Sequence, residues 1–284
     1  MPPVDGQISH ISDTALMVAA CRAIENNRPD GFIRDPFAER LAGERGMAIA
    51  QALPRLAIMG FGVSARTFFL DDLVASAVKQ HGIRAVLSVG CGLDTRPWRL
   101  ELPPELRWIE VDFDDLLNYK AAMMASEPPR CRVESMAADL NDPAQRRAIF
   151  AAAPDVPALM ITEGLLQYLP AETVEALATE SAAMGGVRYW LAGAASTQFA
   201  NAIGMDSFQQ VQAMRAGSHL NGDELFAAIE RNGWKSISRR SYLTDIWAFG
   251  GERLKAMATS RPANAPAPQF SLSDPSGVHL FGRA

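Results

Sequence analysis

The chain has little cysteine, no long apolar run and no block of charge of one sign, and each shortage closes off a class of protein. Cys21, Cys91 and Cys131 are the three cysteines in 284 residues. An odd number at wide spacing, with no C-x-x-C pair, makes neither a disulfide framework nor a thiol metal or redox site, so reduced thiols in a cytoplasmic protein are expected. No apolar stretch approaches the about 18 residues that a membrane span requires, and no basic segment leads into an apolar signal core near the N-terminus. A soluble chain without a membrane partner is expected. The net charge is −5, and the adjacent basic pairs Arg146-Arg147 and Arg239-Arg240 are too sparse for a nucleic-acid surface. His10, His81, His219 and His279 are scattered without zinc spacing, so no metal centre is expected.

What is present is a large apolar fraction, 48% of residues, sufficient for a substantial core. Helical patterns fill residues 1–82, an N-terminal helical extension. Ser12 or Asp13 caps a helix through Asn26, with Leu16, Ala19, Ala20 and Ala23 at helical spacing. Asp35-Pro36 opens a short second helix, and a third runs from about Val63 to His81, stopped by Gly82. From residue 83 to 284 short β-branched runs alternate with helical stretches. Strands are expected at 85–89, 107–111, 132–137, 158–162 and 188–193, and further ones at 235–240 and 277–282. Helices are expected near 114–125, 142–152, 171–184 and 222–232. This alternation predicts an α/β core, a mostly parallel Rossmann-like sheet with helices on both faces. Residues 195–221 interrupt it as an insertion after the fifth strand, and Arg261 to Pro268 form a loop.

The most informative segment is Val86 to Arg99, an apolar strand running into a glycine turn. Gly90 and Gly92 let the backbone turn sharply and pass close to a ligand. The next strand ends in Asp112, 22 positions after Gly90, where a carboxylate can accept hydrogen bonds from a ribose diol. A dinucleotide fingerprint would carry a third glycine where Thr95 stands, and no G-x-x-x-x-G-K-[ST] phosphate loop occurs. A cofactor with a ribose and no phosphates fits better, and S-adenosylmethionine is the common one. Cys91, inside the turn, reads as a small filler rather than a nucleophile.

Other residues stand at the ends of the expected strands, where open parallel sheets bind ligands: Asp139-Leu140 after the third and Glu163-Gly164 after the fourth. With the glycine turn and Asp112, this set resembles the leucine carboxyl methyltransferase family and its bacterial polyketide O-methyltransferase relatives. Matching segments are Ala15 to Ala23 with Arg22, Asp35-Pro36-Phe37, Ala65-Arg66-Thr67 followed by Asp71, and the turn through Asp94-Thr95-Arg96. They continue with Glu110-x-Asp112 followed by Lys120, and with Glu163 to Leu169. Asp114 departs from the pattern, since relatives often carry Pro there.

The resemblance implies a class I methyltransferase fold and a set of roles. Arg66 would pair with the carboxylate of the methionine moiety, and Gly90 and Gly92 would admit the same moiety. Asp112 would hold the ribose hydroxyls, Asp139 the adenine amino group and the Leu140 N–H a ring nitrogen. Glu163 ends a buried apolar strand, where an unpaired carboxylate is unfavourable, and the cofactor's ammonium would be its partner. Arg22 and Tyr168 are candidate substrate-binding residues. Each has a structural reading too: Arg66 as a helix surface residue, Asp112 as a turn acid, and Asp139 as a loop carboxylate beside Asp142, the better-placed helix cap.

The reaction expected is O-methylation of a small-molecule acceptor, an aromatic or polyketide-like carboxylate. A carboxylate is ionised at pH 7, whereas a phenol with a pKa near 10 would want a base. The chain has no G-x-S-x-G elbow, no H-E-x-x-H and no compact acid/base pair, and His219 is the one histidine weighed as a base. Competing readings are a phenolic or enolic acceptor, a protein C-terminal carboxylate, and a non-catalytic cofactor-binding protein. The D-x-D of Asp112-Phe113-Asp114 also occurs in metal-dependent glycosyltransferases, but Asp114 and Asp115 serve equally at a helix start.

Overall fold

The computed structural model describes residues 11–199, 220–259, 271 and 273–283. Among the described residues seven strands form one sheet in the order β3-β2-β1-β4-β5-β7-β6. The strands are β1 Ala85–Val89, β2 Arg107–Asp112, β3 Arg132–Ala137, β4 Ala158–Thr162, β5 Val187–Ala194, β6 Trp234–Ser241 and β7 Gly277–Arg283. β3 to β2, β2 to β1, β1 to β4 and β4 to β5 are all parallel pairings. β1 and β4 are buried along their whole length, as expected of apolar strands covered on both faces.

The helices among the described residues are α1 Ile11–Asn26, α2 Ala38–Ala52, α3 Leu56–Gln80, α4 Arg96–Arg99, α5 Asp114–Met124, α6 Pro143–Ala152, α7 Ala171–Ala183, α8 Gly222–Arg231 and α9 Trp247–Thr259. A turn of 3-10 helix covers Leu166–Tyr168. Asp142 caps α6 by accepting the Ala144 N–H at 2.7 Å, and Asn221 and Glu224 form a capping box on α8, so local side chains start both helices.

Cα packing divides the chain into two compact units. One comprises residues 1–68, 195–214 and 240–277, and the other residues 69–194, 215–239 and 278–284. The first therefore joins residues 1–68 to two segments that follow β5 in the chain.

Within the first unit, α1 and α2 lie close enough that a Cβ on Gly46 would meet the Leu16 carbonyl oxygen at 2.6 Å. Arg45 clamps Asp13 through two hydrogen bonds of 2.7 Å. α3 begins at Leu56, not near Val63, because the run carries on through Gly60 and Gly62, which weaken helix propensity locally. α9 has no counterpart among the expected elements. Its Gly250-Gly251 pair depresses propensity, yet a Cβ on Gly250 would meet Phe61 Cζ at 2.5 Å, so packing demands the residue that hides the helix.

The second unit holds the sheet core. Leu87, Val89, Ile109, Val111, Met160 and Trp190 pack with Ile149 and Phe150 of α6, Leu177 of α7 and Phe226 of α8. At the carboxyl edge of this sheet β1 and β4 are neighbours while β2 and β3 lie to one side and β5 to the other. The connections from β1 and β4 thus diverge, leaving the crevice in which open parallel sheets bind ligands.

Candidate functional site

The glycine turn after β1 folds back onto the end of β2. The N–H groups of Gly90 and Cys91 donate to the Val111 carbonyl at 2.8 and 3.1 Å. Gly90 and Gly92 have φ of 64° and 51°, the left-handed region in which a side chain is strained. A Cβ on Gly90 would also meet Leu165 Cδ1 at 2.7 Å, so the loops after β1 and β4 touch at this point.

Asp112, at the end of β2, holds this turn. Its Oδ2 accepts the Gly92 N–H at 2.7 Å and its Oδ1 accepts the Phe113 N–H at 2.8 Å. Burial pushes its pKa above the usual carboxylate value, while the two N–H groups and Lys120 pull it down. Each carboxylate oxygen has two lone pairs, so Asp112 can hold the turn and still accept from a ligand hydroxyl.

Beneath it Lys120 Nζ donates to Glu110 Oε1 at 2.6 Å, both side chains being buried. Burial raises the Glu110 pKa against the pull of Lys120. Burial lowers that of Lys120, but Glu110, Cys91 and Asp94 outweigh it and the net direction is up. The ammonium also lies 5.3 Å from the centroid of the Trp98 ring. Burial pushes the Cys91 thiol pKa well up, which leaves no thiolate for nucleophilic work.

Glu163, at the end of β4, has a protein partner. Arg96 Nη1 donates to its Oε2 at 2.8 Å, and Arg96 Nε donates to Asp71 Oδ1 at 2.8 Å. The cation that the sequence reading seeks in the cofactor alone is therefore supplied in part by the chain, since burying Glu163 beside Arg96 satisfies one oxygen. Thr95, standing where a dinucleotide site has its third glycine, is fully buried and accepts from Arg99 Nε at 3.0 Å.

Asp139 and Leu140 follow β3 in the same unit. Asp139 Oδ1 accepts the Asn141 N–H at 2.9 Å and its own N–H donates to Gln145 Oε1 at 2.9 Å, while the Leu140 carbonyl accepts from Arg146 Nη1 at 2.7 Å. Tyr168 is half-buried in the 3-10 turn after Glu163.

Arg66 and Arg22 belong to the first unit, on α3 and α1. Arg22 is buried and donates from Nε to Asp35 Oδ2 at 2.8 Å, an ion pair that joins α1 to the segment before α2. Its guanidinium thus has a structural task that the sequence reading does not assign. His219 lies outside the described residues. Asp114 and Asp115 are exposed in the first turn of α5, where carboxylates complement the helix dipole.

Sequence reasoning gives no roles to Asp71, Asp94, Arg96, Arg99, Glu110 or Lys120, although all but Arg99 fall in the matched segments. The missing signal is chemical, since charged residues abutting apolar strands call for internal partners.

The chain belongs to the leucine carboxyl methyltransferase family, whose model matches residues 15–182. A Streptomyces avermitilis protein named "Putative S-adenosyl-L-methionine-dependent methyltransferase" is 36% identical over 183 residues, covering 60% of this chain and 64% of that protein. A Streptomyces coelicolor protein of the same description is 37% identical over 184 residues, covering 60% and 64%. The matches thus span just under two thirds of these relatives' lengths. Among solved structures, a DUF574 family protein from Streptomyces avermitilis superposes with a TM-score of 0.59 at 17% identity, covering 99% of both chains. A structure described as a methyltransferase from Thermobifida fusca, the assignment marked as putative in its name, gives 0.56 at 17% identity over 99% of this chain and 97% of the other. These two likenesses speak for the fold.

Proposed function

We propose that the chain is an S-adenosylmethionine-dependent O-methyltransferase whose acceptor is a small-molecule carboxylate of the aromatic or polyketide-like kind. The observation that carries the reading is the glycine turn held by Asp112 at the carboxyl edge of the sheet. It presents an oriented carboxylate to a ribose beside two positive-φ glycines.

The donor set fits such a cofactor. Asp112 accepts the ribose hydroxyls, Gly90 and Gly92 admit the methionine moiety, and Glu163 receives its ammonium. Asp139 and the Leu140 N–H meet the adenine edge, and Arg66 meets the methionine carboxylate. When bound, the cofactor supplies an electrophilic methyl group on a sulfonium. The residues of the chain need to align the acceptor and exclude water, and orientation of that kind contributes up to about 7–11 kcal/mol. Tyr168, in the turn after Glu163, is a candidate acceptor contact, and Arg22 is a weaker one given its bond to Asp35.

A carboxylate acceptor is favoured because it is ionised without a protein base and because the matching family is named for carboxyl methylation. A phenolic or enolic hydroxyl is the second reading, with His219 as base. Three free, buried cysteines agree with a reducing, cytoplasmic setting. No helix among the described residues is long and apolar enough to cross a membrane.

Calorimetry with S-adenosylmethionine and S-adenosylhomocysteine tests the cofactor, binding of either being expected. Absence of both, with clear binding of a nicotinamide dinucleotide, would overturn it. A panel of aromatic acids and phenols, followed by product mass before and after mild alkali, tests the acceptor. An alkali-labile methyl ester with retained turnover in His219→Ala supports the carboxylate, and an alkali-stable ether with large loss supports the hydroxyl.

A further inference from the structure

Arg96 is 1% exposed, and its guanidinium joins three separate parts of the second unit. Nε reaches Asp71 Oδ1 of α3 and Nη1 reaches Glu163 Oε2 after β4, each at 2.8 Å. The same Nη1 lies 3.0 Å from Asp94 Oδ2 in the glycine turn, an ion contact off hydrogen-bond alignment, since that oxygen has no hydrogen-bond donor among the described residues. The other Asp94 oxygen, Oδ1, accepts the Arg96 backbone N–H at 3.0 Å, fixing where the side chain starts. Arg99, three positions further along α4, also grips Asp71, with Nη2 at 2.7 Å from Oδ1.

A planar guanidinium sets direction as well as distance. The orientation of the Glu163 carboxylate therefore depends on α3 and on the glycine turn, and a freely rotating glutamate would present its oxygens less consistently. We infer that Arg96 is a positioning residue for the cofactor's amino-acid end: it holds Oε2 of Glu163 and thereby fixes the carboxylate that meets the ligand ammonium. This rests on the reading of Glu163 given above. A cluster that merely supported the fold would weaken every part of the ligand's binding alike when disturbed. Positioning through Glu163 concerns only the part of the ligand that carries the ammonium.

The test compares S-adenosylhomocysteine, which has that ammonium, with 5′-methylthioadenosine, which shares the nucleoside and thioether but lacks the amino-acid end. Calorimetry is run on the full chain, on Arg96→Lys, on Glu163→Gln and on the double variant. Lysine keeps the charge and loses the fork. In Arg96→Lys, S-adenosylhomocysteine is expected to weaken by about tenfold or more and methylthioadenosine by less than about twofold. In the Glu163→Gln background, Arg96→Lys should add less than about twofold, because the route through Glu163 is already cut. Equal weakening of both ligands, unchanged S-adenosylhomocysteine affinity or full additivity overturns the inference. A wild-type chain that binds neither ligand overturns the cofactor reading instead. Should Arg96→Lys not fold, Asp71→Asn, which loosens Arg96 from the α3 side, is measured with the same two ligands. Selective loss supports the positioning role, and uniform loss or none overturns it.

Discussion

The Gly92 N–H donates to Asp112 Oδ2 at 2.7 Å, so the carboxylate proposed to hold the ribose also closes the turn on which the cofactor would rest. From sequence, Asp112→Ala is expected to leave the fold intact and reduce ligand binding alone. The bonds to Gly92 and Phe113 add a structural consequence. Asp112→Ala is expected to lose about 1–3 kcal/mol of stability as well as ten- to a hundredfold in S-adenosylhomocysteine affinity. Urea denaturation read beside calorimetry checks both. Unchanged stability would show that water replaces the carboxylate at no net loss.

The same residue gives a pH dependence. Burial holds the Asp112 pKa above the usual value, and a ribose diol donates to the ionised form. Binding is then complete above that raised pKa and is lost as pH falls through it, beginning at higher pH than for an ordinary aspartate near 3.9. Calorimetric titrations stepped down from pH 7.5 should show affinity falling in the wild type and level in Asp112→Asn. A parallel fall in both would assign the titration to another group.

Lys120 and Glu110 form a buried pair whose halves are not separately tolerable. Lys120→Met is expected to destabilise the fold by about 3–5 kcal/mol by leaving Glu110 unpartnered, and Lys120→Met with Glu110→Leu should recover most of that loss. Because the folded-state pKa of Lys120 is raised, its contribution is present below the unfolded value near 10.4 and lost as pH rises through the folded one. Equal denaturation midpoints for the single and double variants would contradict the pairing.

Gly90→Ala tests two effects at once, a φ of 64° and a contact with Leu165 Cδ1 at 2.7 Å. The left-handed conformation alone accounts for about 1–2 kcal/mol. Adding Leu165→Ala should relieve the contact and leave the backbone strain, so the double variant is expected between Gly90→Ala and a Leu165→Ala control. Full recovery to the control would mean that strain at Gly90 is negligible.

All three thiols should be inert in the folded chain. Burial pushes Cys21 up to about 12 and Cys131 up to about 11, and Cys91 well above its usual value. An aromatic disulfide reagent at pH 8 is expected to find no fast-reacting thiol before unfolding and three per chain afterwards. A single fast thiol in the native state would reopen Cys91 as a reactive group.

Periodicity and punctuation in the sequence determine most of this architecture. The seven strands lie within one or two residues of their expected spans, and the two central ones, β1 and β4, are apolar runs bounded by turns, which leaves little freedom where a parallel sheet is covered on both faces. The glycine turn, the acid 22 positions on and the Asp142 cap are local devices, each decided by a few adjacent residues. What the tertiary structure alone decides is which charges meet. Arg96 and Glu163 stand 67 positions apart, and nothing local tells whether Glu163 awaits a ligand or an arginine. Likewise α9 is concealed by the glycine that Phe61 requires, and the compact unit around α1 draws in segments from beyond the fifth strand. Secondary structure follows short-range preference, whereas ion pairing and close approach depend on how distant segments pack, and there the physical constraint lies in three dimensions.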